Sequence, residues 1–148
     1  MIRIEVDISG LRRKINSIAG GLQDPAPLME DLSGVVYNQI IKNFEMQGRP
    51  PWKKLSPVTL AKKKGNRKLQ EGGARSEDLM GSFEARVDGK TTVVSNAVTY
   101  ARIHNDGGWA GRNRKVFIPA RPFMELPVDG RRALADAVAD YIEMLARK

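Results

Sequence analysis

The first residues alternate. Ile2, Ile4, Val6 and Ile8 are apolar against Arg3, Glu5 and Asp7, the period-two signature of a half-buried strand over residues 3–8. Ser9 can cap a helix, and Leu11, Ile15 and Ile18 recur at helical spacing until Gly20-Gly21, which predicts a stop. The best helix of the N-terminal half follows. Pro25 and Pro27 sit where a first turn tolerates missing N–H groups. Leu28, Leu32, Val35 or Val36, Ile40 and Phe44 then recur in three- and four-residue steps, and Gly48 ends the run. Glu30-Asp31, placed in the first turn, and Lys42 near the end suit the helix dipole. A stripe of this kind reads as core rather than as a docking face.

Residues 48–56 cannot be regular, because Pro50 and Pro51 remove two donors and fix two φ angles. Ser56 and Pro57 give a cap and a first residue for a short helix over 57–64. Residues 65–75 are Gly-rich and polar, and a third short helix is expected over 76–82, with Glu77-Asp78 in its first turn. Phe83, Ala85 and Val87 alternate with Glu84, Arg86 and Asp88, and residues 91–95 are β-branched. Asp88-Gly89 between them predicts a hairpin. Residues 98–106 read as one or two helical turns ended by Gly107-Gly108, 109–115 as a basic loop, 116–118 as a strand, and 130–148 as a helix with Leu134, Val138, Tyr141 or Ile142 and Leu145 on one face. The expected fold is α+β: a small antiparallel sheet with a β-hairpin, packed against the long N-terminal-half helix and a C-terminal helix, with long basic loops. One domain spans 1–148, with 49–75 and 106–115 as mobile basic loops.

Charge changes this picture. The net charge is +8, yet residues 49–70 hold eight cations and no acid: Arg49, Lys53, Lys54, Lys62, Lys63, Lys64, Arg67 and Lys68. Residues 112–121 add four, from Arg112, Arg114, Lys115 and Arg121, so two segments carry +12 and the rest of the chain −4. Such focused fields steer polyanions or acidic protein surfaces; two solvated loops are the plainer alternative. The concentration of charge further suggests that 49–68 orders only on assembly. At 148 residues the chain can form its core without a disulfide or metal. No apolar run approaches the length of a membrane span, and no secretory h-region follows the start.

The same inventory narrows the chemistry. There is no Cys, which removes thiol catalysis and thiolate metal sites, and His104 is the one imidazole. No GxSxG elbow and no Walker-type loop is present. The expectation is no enzyme, no cofactor and no metal. His104, beside Tyr100 and Ile103, reads first as a partly buried structural residue and second as an interface switch. Trp52 among the cations admits a sequence-nonspecific nucleic-acid-binding module, although a ring packed over a Pro-rich turn explains it equally well.

Three segments in order then resemble a known family. The first is Pro51-Trp52-Lys53-Lys54-Leu55-Ser56-Pro57-Val58-Thr59, after a helix ending Asn43-Phe44. The second is Tyr100-Ala101-Arg102-Ile103-His104 with Gly107-Gly108. The third is Ile118-Pro119-Ala120-Arg121-Pro122-Phe123 before the terminal helix. The chain resembles the phage virion morphogenesis family, the tail completion proteins of Mu-like and P2-like contractile-tailed phages. It departs where the family has a Thr-Gly before its Leu79–Ser82 counterpart, and where Asn105-Asp106 replaces a glutamine and an aromatic. The resemblance implies a non-enzymatic virion part that completes the tail and joins it to the head at the neck. It would be made in the bacterial cytoplasm and assembled as a homo-oligomeric, hexameric ring. Partners would be neighbouring neck, connector and tail-tube or terminator proteins, with genomic DNA passing through nonspecifically and no membrane. Trp52, Leu55, Tyr100, His104, Arg121, Pro122 and Phe123 are the expected subunit or partner contacts. Arg49, Lys53, Lys54, Lys62, Lys63, Lys64, Arg67, Lys68, Arg112, Arg114 and Lys115 are the expected contacts to DNA or acidic partners. Arg121, between two prolines, is a natural bidentate partner for a carboxylate. For 118–123, a rigid turn inside the protomer and an interface role stand as equal readings.

Overall fold

A computed structural model describes residues 9–54, 56–57, 61 and 79–147. Helix α1 is Ser9–Gln23 and helix α2 is Ala26–Glu45. Strands β1 (Phe83–Asp88) and β2 (Thr91–Asn96) form an antiparallel hairpin, with Phe83 opposite Asn96 and Asp88 opposite Thr91. Helix α3 (Ala101–Asp106) leads into a second antiparallel hairpin, β3 (Gly108–Ala110) with β4 (Val116–Ile118), and helix α4 (Val128–Arg147) closes the described chain. The expected α+β class, the hairpin and both long helices are present.

Helix α2 is the centre of the packing. The β1–β2 hairpin and α4 both lie against it, and α1 lies on α4. Helices α2 and α4 run antiparallel: Leu28 at the start of α2 packs with Tyr141 and Leu145, whereas Lys42 near its end pairs with Asp129 at the start of α4. Two apolar clusters result. One joins Ile40 and Phe44 to Leu79, Phe83, Val98, Ala101 and Phe123. The other joins Leu28 to Tyr141 and Leu145, with Ile18 and Leu32 at its margin. The stripe along α2 is therefore mostly core, as its spacing predicts.

The local differences have physical causes. Helix α1 runs through Gly20-Gly21 instead of stopping there, because a helix face against α4 uses the missing side chain: a Cβ on Gly21 would collide with Leu145. Residues 79–82 form a turn rather than the end of a helix. The first hairpin closes through Gly89-Lys90, one residue later than expected, with Gly89 at φ +59°. Glu30 and Asp31 lie in the second turn of α2, which starts at Ala26 and has no acid in its first turn. Trp109 and Ala110, read as loop, are strand residues paired with Phe117 and Val116. The expected strand over 3–8, most of the helix over 57–64 and the loop over 65–75 fall outside the described residues.

Candidate functional site

The three sequence segments meet at the C-terminal end of α2. Phe44 is fully buried and touches three rings: Trp52 at 5.5 Å edge-on, Phe83 at 5.7 Å and Phe123 at 4.9 Å. Trp52 is half-buried, and its indole N–H donates to the carbonyl of Pro122 at 3.2 Å. This ties the first segment to the third. The second is tied in by α3: the Arg121 N–H donates to the His104 carbonyl at 2.9 Å, and the Phe123 and Met124 N–H groups both donate to Asn105 Oδ1 at 3.0 Å. Tyr100 and His104 stack edge to face at 5.7 Å, both half-buried. Asn105 thus performs a specific task at a position where the sequence departs from the family pattern.

Trp52, Tyr100, His104, Arg121, Pro122 and Phe123 are accordingly brought together, while Leu55 lies outside the described residues. Phe123 and Arg121 are buried within the protomer, so they act by shaping the backbone around them. Arg121 is 4% exposed and forms no carboxylate pair with any described residue. Its guanidinium reaches the carbonyls of Pro119 and Lys53 at a long 3.4 Å each, and burial lowers its pKa from the ordinary value. Among the described residues the side chain lies on backbone oxygens and not on the carboxylate expected for it.

A second network locks this end of the protein. Asn43, also buried, donates from its amide to the carbonyls of Phe123 at 2.8 Å and Glu125 at 2.9 Å. Its Oδ1 accepts from Arg49 Nε at 3.0 Å. Arg49 goes on to donate to the carbonyl and Oε1 of Gln39 and to the carboxylate of Asp129. Arg49 is therefore committed inside the protomer rather than presented as a basic contact. Partial desolvation pushes the Asp129 carboxyl up, but the Lys42 hydrogen bond, the Arg49 and Lys42 charges and the Gly130 N–H together outweigh it and hold it below its usual value.

The node carries an exposed element. Gly107 (φ +75°, ψ 178°) ends α3 in a backbone conformation reserved for glycine, with Ala120 packed where a Cβ would sit. From there β3–β4 projects as two three-residue strands that pack mainly on each other and on their own turn. Trp109 and Phe117 face each other in register with rings 5.3 Å apart, 61% and 56% exposed, and Val116 beside them is also exposed. The turn holds Arg112, Arg114 and Lys115, all exposed. Of the four cations of 112–121, three are thus presented together next to an aromatic pair and one is buried. Lys53 and Lys54 are exposed; Lys62, Lys63, Lys64, Arg67 and Lys68 lie outside the described residues. The aromatic pair was missed in the sequence because neither residue has an alternating run around it.

Among the described residues no group of three His, Asp or Glu side chains is placed to hold a metal ion, and no helix is long and apolar enough to cross a membrane. What the arrangement offers is contact: an interlocked packing node that holds out an apolar and basic hairpin. This is the construction of a structural protein, and the sequence comparisons agree. The chain belongs to the phage virion morphogenesis family, whose pattern matches residues 6–143. It is 33% identical to the Mu-like prophage FluMu G protein 2 of Haemophilus influenzae, over 150 positions covering 99% of this chain and 100% of the relative. No solved structure matches the chain. Membership points to a structural part in building a phage virion, not to catalysis.

Proposed function

We propose that this protein completes the phage tail and joins it to the head at the neck, as a closed homo-oligomeric ring, taken to be hexameric. The observation that carries the reading is the convergence of all three family segments on one buried node whose outward product is the Trp109–Phe117 hairpin. Residues spent on holding a surface element in place serve assembly. Neighbouring neck, connector and tail-tube or terminator proteins are the further partners of such a ring, and genomic DNA passes through it. Deleting the gene from an inducible prophage tests the role. Separate heads and tails, rejoined when the protein is supplied, are expected; complete infectious particles overturn it.

A second reading is favoured by one observation, the exposed Trp109 next to Arg112, Arg114 and Lys115. An aromatic platform flanked by cations is what a sequence-nonspecific single-strand binder presents. Salt titration separates the two. A binder engaging about six phosphates loses roughly a thousandfold in affinity between 50 and 200 mM salt. Weak binding even at low salt removes the module reading.

A further inference from the structure

The α2–α4 pair carries a groove that no described residue fills. It is open, about 550 Å³, and its lining includes the apolar Val35, Ala137 and Met144 and the acidic Glu30, Asp31 and Asp140. These three carboxylates make no ion pair with any described residue. The helix dipole does not account for Glu30-Asp31, because the pair lies past the first turn, where that effect fades.

Gly34 lies in the same groove, in the interior of α2. A glycine there weakens a helix relative to alanine. Leu145 fills the space beside Gly21 and Gln39 approaches Gly130, whereas Gly20 in α1 has open space beside it. A Cβ on Gly34 would meet nothing within 4 Å. The missing side chain leaves room at this point of the groove for a group from outside the protomer.

The chain itself contains the complement. The β3–β4 hairpin offers an apolar knob, Trp109 with Phe117 and Val116, and a cationic tip; the groove offers apolar side chains beside a glycine together with three carboxylates. A two-stranded hairpin this short is marginal alone and gains from being covered. The two surfaces lie toward opposite ends of the α2–α4 pair. The hairpin springs from the node at Phe44 and Asn43, and the groove is lined by the N-terminal half of α2 and the C-terminal half of α4. A protomer does not fold its own hairpin into its own groove.

We infer that the β3–β4 hairpin of one copy docks its Trp109–Phe117 pair over Gly34 in the α2–α4 groove of the next copy, with Arg112, Arg114 and Lys115 against Glu30, Asp31 and Asp140. The contact is heterologous and head-to-tail, so it repeats until the rotation closes a ring. This inference rests on the ring reading and names its interface.

Mixing two variants tests it, with mass read by sedimentation and light scattering. Trp109→Ala/Phe117→Ala removes the knob, and Gly34→Leu fills the groove. Each alone should weaken self-association by at least about 30-fold, the loss expected of a central aromatic anchor. Gly34→Leu should leave the protomer melting at the same or a higher temperature, which separates blocked docking from misfolding. The equimolar mixture retains one sound interface per pair, since each variant keeps the half the other lacks, and should stop at dimers. The chain has no Cys, so Gly34→Cys mixed with Phe117→Cys should yield a disulfide-linked heterodimer in excess of either homodimer. Wild-type assembly with both variants assembling as well overturns the interface and leaves the ring standing. A wild type that stays monomeric at the highest concentration, without heterodimer cross-links, overturns the ring together with its interface. If Arg112→Glu/Arg114→Glu abolishes binding of a labelled oligonucleotide and leaves assembly unchanged, the hairpin is a nucleic-acid face and the inference fails.

Discussion

The side-chain amide of Asn43 donates to the carbonyl of Phe123 across 80 residues of sequence, at 2.8 Å and out of reach of solvent. The same nitrogen serves Glu125, and the amide oxygen serves Arg49. The amide thus satisfies two backbone carbonyls and one charged donor at once. Asn43→Ala leaves all three without it, and buried groups stripped of partners cost about 1–3 kcal/mol each when water does not replace them. The expected loss is about 3 kcal/mol in urea denaturation, with little change in the slope.

Phe44 touches Trp52, Phe83 and Phe123, one ring from each of three distant segments. Phe44→Ala therefore opens a cavity at their junction. Large-to-small changes of this type cost about 3–5 kcal/mol. The variant should melt well below the wild type or accumulate as insoluble protein, whereas Phe44→Leu should fold.

Gly107 is the hinge from which the second hairpin departs. At φ +75° and ψ 178° a side chain is strained, and a Cβ would stand 2.6 Å from the Ala120 nitrogen. Gly107→Ala should cost about 1–3 kcal/mol from backbone strain alone, with the collision added. Hydrogen exchange should show the loss of protection concentrated in residues 108–118 rather than in α2.

Asp129 gives the pH dependence its sign. Its carboxyl is held below the usual value, so its ion pairs with Arg49 and Lys42 contribute above the ordinary carboxylate pKa of about 3.9. That contribution is lost as pH falls through the lower, folded value. Stability measured from pH 6 downward should therefore fall less steeply below about pH 4 in Asp129→Asn than in the wild type.

What could be read from the chain depended on how local the determining contacts are. Asp88-Gly89 announces its hairpin within a few residues, and the apolar steps from Leu28 to Phe44 announce α2 and its buried face. The β3–β4 hairpin was hidden because its strands have three residues each and draw their geometry from Gly107 and Gly111, not from alternation. Gly20-Gly21 misled because a glycine pair stops an isolated helix but fits one lying on Leu145. The family segments drew attention to Trp52, Arg121 and Phe123, yet their spacing did not say whether those side chains face inward. Asn43 and Asn105 stand in or beside the family segments without announcing what they do, since their roles exist only once segments 18 to 82 residues away are in place.

The two tryptophans occupy opposite environments. Trp52 is pressed edge-on against Phe44 with its N–H on Pro122, and Trp109 stands mostly in solvent at the far side of the second hairpin. The protein thus contains two intrinsic fluorophores with separate assignments. Emission from Trp52 follows unfolding of the protomer, and quenching of Trp109 by iodide follows whether the hairpin is covered. Replacing one or the other with phenylalanine would give a chain that reports on a single event, so folding and association can be timed independently without attaching a dye.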